Sequence, residues 1–400
     1  MKHALGDLAY FGGFPLFPSV LPVGQIHVPA WKRFQAMADG IFDRRYYANH
    51  WILTQELEEN LCELLQVRHV VTMTNATVGL SLACKALELE KGGKVIVPAF
   101  TFAATVQALT WAGLEPLFCD VDPQTHAITP QTILHLLETP GVVAVLGVHL
   151  WGTACDINGL SRLCAMKGIK LFFDAAHAIG CTYHGRPIGN FGDCEVFSFH
   201  ATKILSATEG GCVATNDDAL AERLRNLRSS YGRRANVKIP INANGRFSEM
   251  QAAFALLSLE DFPQHCEENR QKMLAYLQRL EGISGLRFIR PLAEERQNYQ
   301  YVVMEIEEAR FGLSRDAVVR LLAAENIHAR RYFIPGMHRV PPYSSNKRFQ
   351  PVALPCTEEL CMKVMQFPSG AVVTIEDIHK VCDFISFLKK NAEEIRERLS

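Results

Sequence analysis

The 400-residue chain predicts an α/β protein: a large, doubly wound, mostly parallel sheet domain followed by a smaller C-terminal α/β domain. Three observations carry that expectation. Strand-like and helix-like patterns alternate from about Val67 to about Thr215. Two runs inside that region, Lys94-Val95-Ile96-Val97 and Val142-Val143-Ala144-Val145-Leu146-Gly147, are short and apolar, as in strands covered on both faces. Past Pro263 long amphipathic helices take over, including Glu268 to Leu280, and a smaller alternating region starts near Gly282. Residues 1–262 are therefore expected to hold an N-terminal arm and the large domain, and residues 263–400 a linking helix and the smaller one.

The first strand-to-helix unit is Val67 to Thr77, where small and hydroxyl residues precede a helix patterned by Leu80, Leu82, Ala83 and Leu87. Free N–H groups and a hydroxyl at a helix start form a ready phosphate site. For any single helix start, however, Thr74 or Asn75 is more often just an N-cap. Asn75-Ala76-Thr77 also matches a glycosylation sequon, which needs a secreted protein, and nothing else in the chain points to secretion. Further on, Ile169 to Phe173 reads as a buried strand ending on Asp174, at the sheet edge where α/β folds bind ligands. A carboxylate there can keep a pyridine nitrogen protonated, as pyridoxal phosphate requires, although a lone Asp more often caps the next helix.

The strand Glu195 to Phe199 then leads into His200-Ala201-Thr202-Lys203, and Glu209-Gly210-Gly211 allows close backbone approach before the strand Cys212 to Thr215. A lysine presented at a strand end and desolvated attacks carbonyls as a neutral amine, whereas an isolated lysine is usually solvated. Asp174 and Lys203 are 29 residues apart, room for one helix-containing crossover and a return strand, so one ligand can reach both. Tyr231 to Gly245 reads as a loop, with Arg233 and Arg234 as solvated bases, before a helix at Ser248-Glu249-Met250-Gln251. In the smaller domain Tyr301 to Ile306 reads as a strand and Arg315 to Glu325 as a helix.

Six motifs stand in order: Asn75-Ala76-Thr77; Val97-Pro98-Ala99-Phe100-Thr101-Phe102-Ala103-Ala104-Thr105; Val148-His149-Leu150-Trp151-Gly152; Asp174-Ala175-Ala176-His177; Ser198 to Lys203 with Glu209-Gly210-Gly211; and Asn244-Gly245-Arg246. From about Phe42 to about Ile385 the chain resembles the nucleotide-sugar aminotransferases of the DegT/DnrJ/EryC1/StrS family, of the fold type I pyridoxal-phosphate class. The resemblance implies that Lys203 binds the cofactor as a Schiff base and later shuttles a proton, and that Asp174 pairs with the ring nitrogen. It places Ala76, Thr77 and Ser198 at the phosphate, Phe102 against the ring, and His177 near the ring or its O3′, where many relatives carry Gln. Asn244 matches a residue that contacts the partner subunit's cofactor phosphate, which implies a homodimer with shared sites. Arg246, Tyr332 and His338 are the implied contacts of the nucleotide sugar.

The opening Ala4 to Gly13 and the segment Tyr332 to His338 resemble the C-4 aminotransferases of this family. The implied reaction moves an amino group from L-glutamate to dTDP-4-dehydro-6-deoxy-D-glucose, giving dTDP-4-amino-4,6-dideoxy-D-glucose by ping-pong kinetics. A C-3 aminotransferase shares every catalytic residue and stays open. Related dehydratases carry His in place of the lysine, so Lys203 argues against them. A non-catalytic pyridoxal-phosphate-binding regulator is separated by absorbance alone, and no G-x-G-x-x-G follows a strand to suggest a dinucleotide enzyme.

Composition fits a cytoplasmic enzyme. A net charge of −1 gives no reason to expect nucleic acid or an anionic membrane as partner. The start lacks a signal-peptide pattern, and no apolar run is long enough to span a bilayer. Twelve cysteines include no C-x-x-C pair and are expected as free thiols. His149, His177 and His200 lack the spacing of metal ligands, so no metal is expected.

Overall fold

The computed structural model describes residues 2–229, 243–290, 295–346, 349 and 353–399. Of the expected loop Tyr231 to Gly245, residues 231–242, with Arg233 and Arg234, lie outside that set. In chain order the strands are β1 (His69–Met73), β2 (Lys94–Pro98), β3 (Glu115–Cys119), β4 (Val142–Val148), β5 (Lys170–Asp174), β6 (Thr182–Tyr183), β7 (Arg186–Pro187), β8 (Cys194–Ser198), β9 (Gly211–Thr215), β10 (Leu286–Phe288), β11 (Val302–Ile306), β12 (Arg330–Arg331) and β13 (Val364–Phe367). The helices are α1 (Trp31–Arg44), α2 (Ile52–Leu65), α3 (Ala76–Ala86), α4 (Ala103–Trp111), the single turn α5 (Pro130–Ile133), α6 (Ile157–Lys167), α7 (Asp218–Arg228), α8 (Glu249–Leu280), α9 (Glu308–Phe311), α10 (Arg315–Ala324), α11 (Pro355–Lys363), α12 (Ile375–Lys390) and α13 (Ala392–Leu399).

Seven strands form the large sheet in the order β1-β9-β8-β5-β4-β2-β3, and only β9 runs against its neighbours. Successive side chains of a strand leave opposite faces, so an apolar run feeds two cores at once. Ile96 joins a core with Leu57 and Leu61 of α2 and Ala252 of α8. Its neighbours Val95 and Val97 join a second core with Leu80 of α3, Leu109 of α4 and Leu224 of α7. The doubly wound sheet follows directly from that alternation.

Three expectations need correction. The crossover from Asp174 to β8 holds no helix; it carries the β6–β7 hairpin instead. Gly180, Gly185, Gly189 and Gly192 all take positive φ within it, a conformation a helix does not accept. Asp174 consequently caps no helix. Second, the helix at Ser248 and the one through Leu280 are a single 32-residue helix that runs straight through Pro263. Its start is set by Ser248 and Gln251, which form a reciprocal capping box, and its packing against α1, α2 and α12 holds it across the proline. Third, the opening segment packs with the C-terminal body rather than the large domain. Leu5, Leu8, Phe17 and Leu21 share a core with Val318 of α10, Ile385 of α12 and Met365 of β13. Glu325 fastens it by accepting the N–H groups of Ala9 and Leu16 at 2.8 and 2.7 Å. The smaller sheet, β10-β11-β13-β12, is antiparallel throughout.

Candidate active site

Parallel strands deliver their carboxyl ends to one edge of a sheet, and ligands bind there. Here that edge faces Tyr301, just before β11, and the strands β12 and β13 across a cleft of about 660 Å³. At the end of β1, Asn75 caps α3 by accepting the Val78 N–H at 2.9 Å. Ala76 and Thr77 line the cleft, and their N–H groups precede any carbonyl of their own helix. Gly211 backs this helix start: a Cβ there would fall 2.8 Å from the Ala76 nitrogen, so the expected close approach at the glycine pair is real. After β2, Phe102 opens α4 and stands 61% exposed in the cleft wall.

Asp174 ends β5 as a buried carboxylate. Its Oδ2 accepts the Thr105 hydroxyl at 2.8 Å and its Oδ1 accepts the Ala176 N–H at 3.0 Å. Burial pushes this carboxyl up, against the pull of those two hydrogen bonds and of the Lys203 charge, so a cationic partner is what the site lacks. Lys203, beyond β8, donates from Nζ to the Tyr301 hydroxyl at 2.8 Å. Burial lowers its ammonium from 10.5 to about 8. Ser198 at the end of β8 borders the same space.

The His177 ring stacks on Trp151 at 5.6 Å and leans on Tyr301 at 4.3 Å. Its Nδ1 accepts the Trp151 N–H at 3.3 Å, and burial with the nearby Lys203 charge holds its pKa well below the usual value. The imidazole is thus neutral and carries its proton on Nε2. Gln300 ties these parts together: its Oε1 accepts the N–H of Ile204, next to the lysine, and its Nε2 donates to the His177 carbonyl at 2.8 Å.

This donor set suits one kind of ligand. A helix start takes a dianionic phosphate, an exposed Phe and a neutral His face a flat ring, a buried carboxylate wants a protonated ring nitrogen, and a lysine whose ammonium is weakened by burial wants an aldehyde. Pyridoxal phosphate has all four features.

Residues 32–386 match the DegT/DnrJ/EryC1/StrS aminotransferase family. The chain belongs to this family. As a DegT/DnrJ/EryC1/StrS aminotransferase it is a pyridoxal-phosphate-dependent sugar aminotransferase. It is 31% identical over 369 residues, 92% of this chain and 98% of the other, to a dTDP-4-amino-4,6-dideoxy-D-glucose transaminase of Shigella dysenteriae. It is 34% identical to a GDP-perosamine synthase of Caulobacter vibrioides, over 82% of this chain and 87% of that one. Among solved structures it is similar to DesI, determined in the presence of its TDP-sugar product, with 41% identity, a TM-score of 0.94 and 99% of both chains covered.

Of the residues singled out from sequence, Lys203, Ala76, Thr77, Phe102, Asp174, His177, Ser198 and Tyr332 all border this same cleft. Three others lie elsewhere. Asn244 is exposed on the segment before α8, and Arg246 borders a separate small cavity with Asn49, His50 and Arg228. His338 is buried behind the cleft wall, 3.3 Å from Glu358 and edge-on to Phe118. Sequence reasoning assigned no role to Thr105, Gln300, Tyr301, Arg330 or Gln366. Thr105 stood inside a quoted motif, and the polar and aromatic cluster Gln297-Asn298-Tyr299-Gln300-Tyr301 ahead of a strand was the available signal for two more.

The three histidines weighed as metal ligands have other partners: Glu195 for His149 at 2.8 Å, Trp151 for His177, and Thr202 for His200 at 2.9 Å. Among the described residues no three His, Cys, Asp or Glu side chains converge on a metal site, and no helix is long and apolar enough to cross a membrane.

Proposed function

We propose that this aminotransferase moves the amino group of L-glutamate to C-4 of dTDP-4-dehydro-6-deoxy-D-glucose, giving dTDP-4-amino-4,6-dideoxy-D-glucose in the cytoplasm. The observation that carries the sugar assignment is the near-full-length likeness to DesI, a structure determined in the presence of its TDP-sugar product.

When bound, pyridoxal phosphate supplies the electron sink that makes a proton on the donor's α-carbon removable. The chain supplies the rest. Ala76, Thr77 and Ser198 would take its phosphate, Phe102 and His177 would hold its ring, and the Asp174 carboxylate would keep its ring nitrogen protonated. Lys203 Nζ would give the covalent anchor and, once displaced, would carry the donor's α-proton across the intervening nitrogen to the cofactor's C4′. Tyr301 holds that amine at its tip, and Gln300 holds the chain beside it by accepting the N–H of Ile204. Both substrates use the same cleft in turn, so initial rates should follow ping-pong kinetics.

A homodimer with shared sites is part of this reading. It is supported by the location of Asn244 and Arg246 outside their own chain's cleft. The deciding experiment incubates the purified enzyme with glutamate and a panel of keto-sugar nucleotides and reads the product by NMR. Amine at C-4 of a dTDP-linked 6-deoxyglucose is expected, and amine at C-3, or turnover only with another sugar, refutes the assignment.

A further inference from the structure

The loop that presents Lys203 belongs to no strand or helix, so its backbone groups need partners from elsewhere. For the two residues that flank the lysine, those partners are glutamines. The Thr202 carbonyl accepts the N–H of Gln25, in the N-terminal arm, at 3.2 Å. The Ile204 N–H is accepted by the side chain of Gln300 at 3.2 Å. Gln25 reaches this second flank as well, because its Nε2 donates to the Gln300 carbonyl at 2.8 Å. A carbonyl only accepts, which fixes the end of the Gln25 amide that faces it. The same Nε2 donates to the Ser369 hydroxyl at 3.2 Å, while Oε1 accepts from Asn269 of α8 at 2.7 Å and from His27 at 3.2 Å. The Gln25 carbonyl takes the Ala371 N–H at 2.9 Å. Gln25 is fully buried, and both donors and both lone pairs of its amide are in use. Its neighbour Gly24 borders the cleft itself.

We propose that Gln25 is a positioning residue for Lys203: through this one side chain the N-terminal arm fixes the loop from which the reacting amine is presented. The role rests on Lys203 being that amine. Tyr301 holds Nζ at its tip, but a lysine stem is long and flexible, so the tip is placed only if the backbone beneath it is placed too. Gln25 meets one flank directly and the other through Gln300. An apolar side chain in its place would leave the Gln300 carbonyl, Asn269, His27 and Ser369 each short of a partner inside a buried junction. Such groups recover their hydrogen bonds by shifting or by admitting water. Water beside the loop would solvate the Lys203 ammonium, and a reacting group displaced by about 1 Å loses about a hundredfold in rate.

The test uses Gln25→Leu, Gln25→Glu and, at the same junction, Lys272→Met, which removes the 2.7 Å bond from Nζ to the Gly370 carbonyl rather than one to the lysine loop. Reductive methylation of Lys203 is followed against pH in cofactor-free protein, and the half-reaction with L-glutamate is read in holoenzyme as loss of the cofactor's visible absorption. Gln25→Leu should slow the half-reaction by about tenfold to a hundredfold. It should also move the methylation half-point of Lys203 from about 8 up toward 10.5. Gln25→Glu carries the sharper signature. A protonated carboxyl keeps an acceptor for Asn269 and His27 and one donor for Gln300, whereas a carboxylate donates nothing. Burial holds such a carboxyl roughly between 6 and 8, so this variant should run within a few-fold of wild type at about pH 5.5 and fall about tenfold or more below it at about pH 8.5. Lys272→Met should lower the urea midpoint and leave both the half-point and the rate unchanged. If Gln25→Leu does not fold, Gln25→Glu decides alone, since one sample is compared with itself at two pH values. A ratio of Gln25→Glu to wild type that is flat with pH, an unmoved half-point in Gln25→Leu, or an equal shift in Lys272→Met would overturn the role. If wild-type enzyme itself fails to react with L-glutamate, the donor reading falls instead, and the methylation still reports on Gln25.

Discussion

In cofactor-free protein Lys203 should titrate near pH 8, and the Tyr301 hydroxyl should help set that value. Removal of water from the ammonium brings it from 10.5 to about 8. At pH 7.5 a lysine of that kind is neutral in about a quarter of molecules, against about one in a thousand for an ordinary one, so the reactive amine gains about two hundredfold. Tyr301 accepts a hydrogen bond from Nζ at 2.8 Å, and burial keeps its own phenol protonated. Tyr301→Phe takes away that acceptor and leaves the ammonium less well solvated. A hydrogen bond to a charged group contributes about 1.5–3 kcal/mol, so the lysine should drop by a further one to two units, roughly. Turnover should nevertheless fall, because Nζ is no longer held where the proton must move. The assay is reductive methylation of Lys203 against pH, quantified by mass spectrometry of its peptide, with kcat measured in parallel. A wild-type half-point near 10 would refute the burial argument, and an unchanged half-point in Tyr301→Phe would refute the role of the phenol. The sign for stability follows: between about 8 and 10.5 the unfolded chain binds more protons, so stability should rise with pH across that window and lack this contribution below it.

Lys203→Ala should abolish transamination while cofactor still co-elutes with the protein on gel filtration; appreciable turnover would sink the mechanism. Asp174→Asn should slow the reaction by removing the charge at the ring nitrogen. Thr105→Val, which deletes the 2.8 Å hydrogen bond to Asp174, should slow it by about tenfold or less, and normal rates in both variants would make the carboxylate merely structural. Away from the cleft, Arg228 and Glu58 form a buried pair at 2.7 Å, so Arg228→Met should cost about 3 kcal/mol in urea unfolding by leaving the buried carboxylate without its guanidinium, with only His50 and Thr72 still bonded to it. Glu58 resists protonation down to about 2, because Arg228, with hydrogen bonds from His50 and Thr72, outweighs the upward push of burial. The unfolded chain takes that proton near 4.5, so this contribution is present above 4.5 and is lost as pH falls toward 2. Glu58→Gln should flatten that acid limb, and an unaltered limb would count against the pair.

The large domain was legible because each of its site residues follows a strand whose pattern is local. Asp174 and Ser198 end β5 and β8, and Ala76 and Phe102 lie within a few residues of β1 and β2. A period-two apolar run and a small-residue turn announce all four without reference to the rest of the chain. What failed there also had a physical cause: a 19-residue connection from Asp174 to Cys194 has room for a helix, and its four positive-φ glycines turn it into a hairpin. The facing wall was not legible, since Tyr301, Arg330 and Gln366 read as ordinary members of short strands. They reach the cleft only because the C-terminal sheet docks against the lysine loop, through contacts that no local pattern encodes. Gln25, 177 residues before Thr202, donates its N–H to the Thr202 carbonyl at 3.2 Å, and its side chain donates to the Gln300 carbonyl at 2.8 Å. The cleft residues of the large domain therefore lie in local motifs, while those of the facing wall depend on how the C-terminal sheet docks. A family motif can thus announce transamination and leave the substrate open, because the wall that carries Tyr301, Arg330 and Gln366 is set by docking and not by a local pattern.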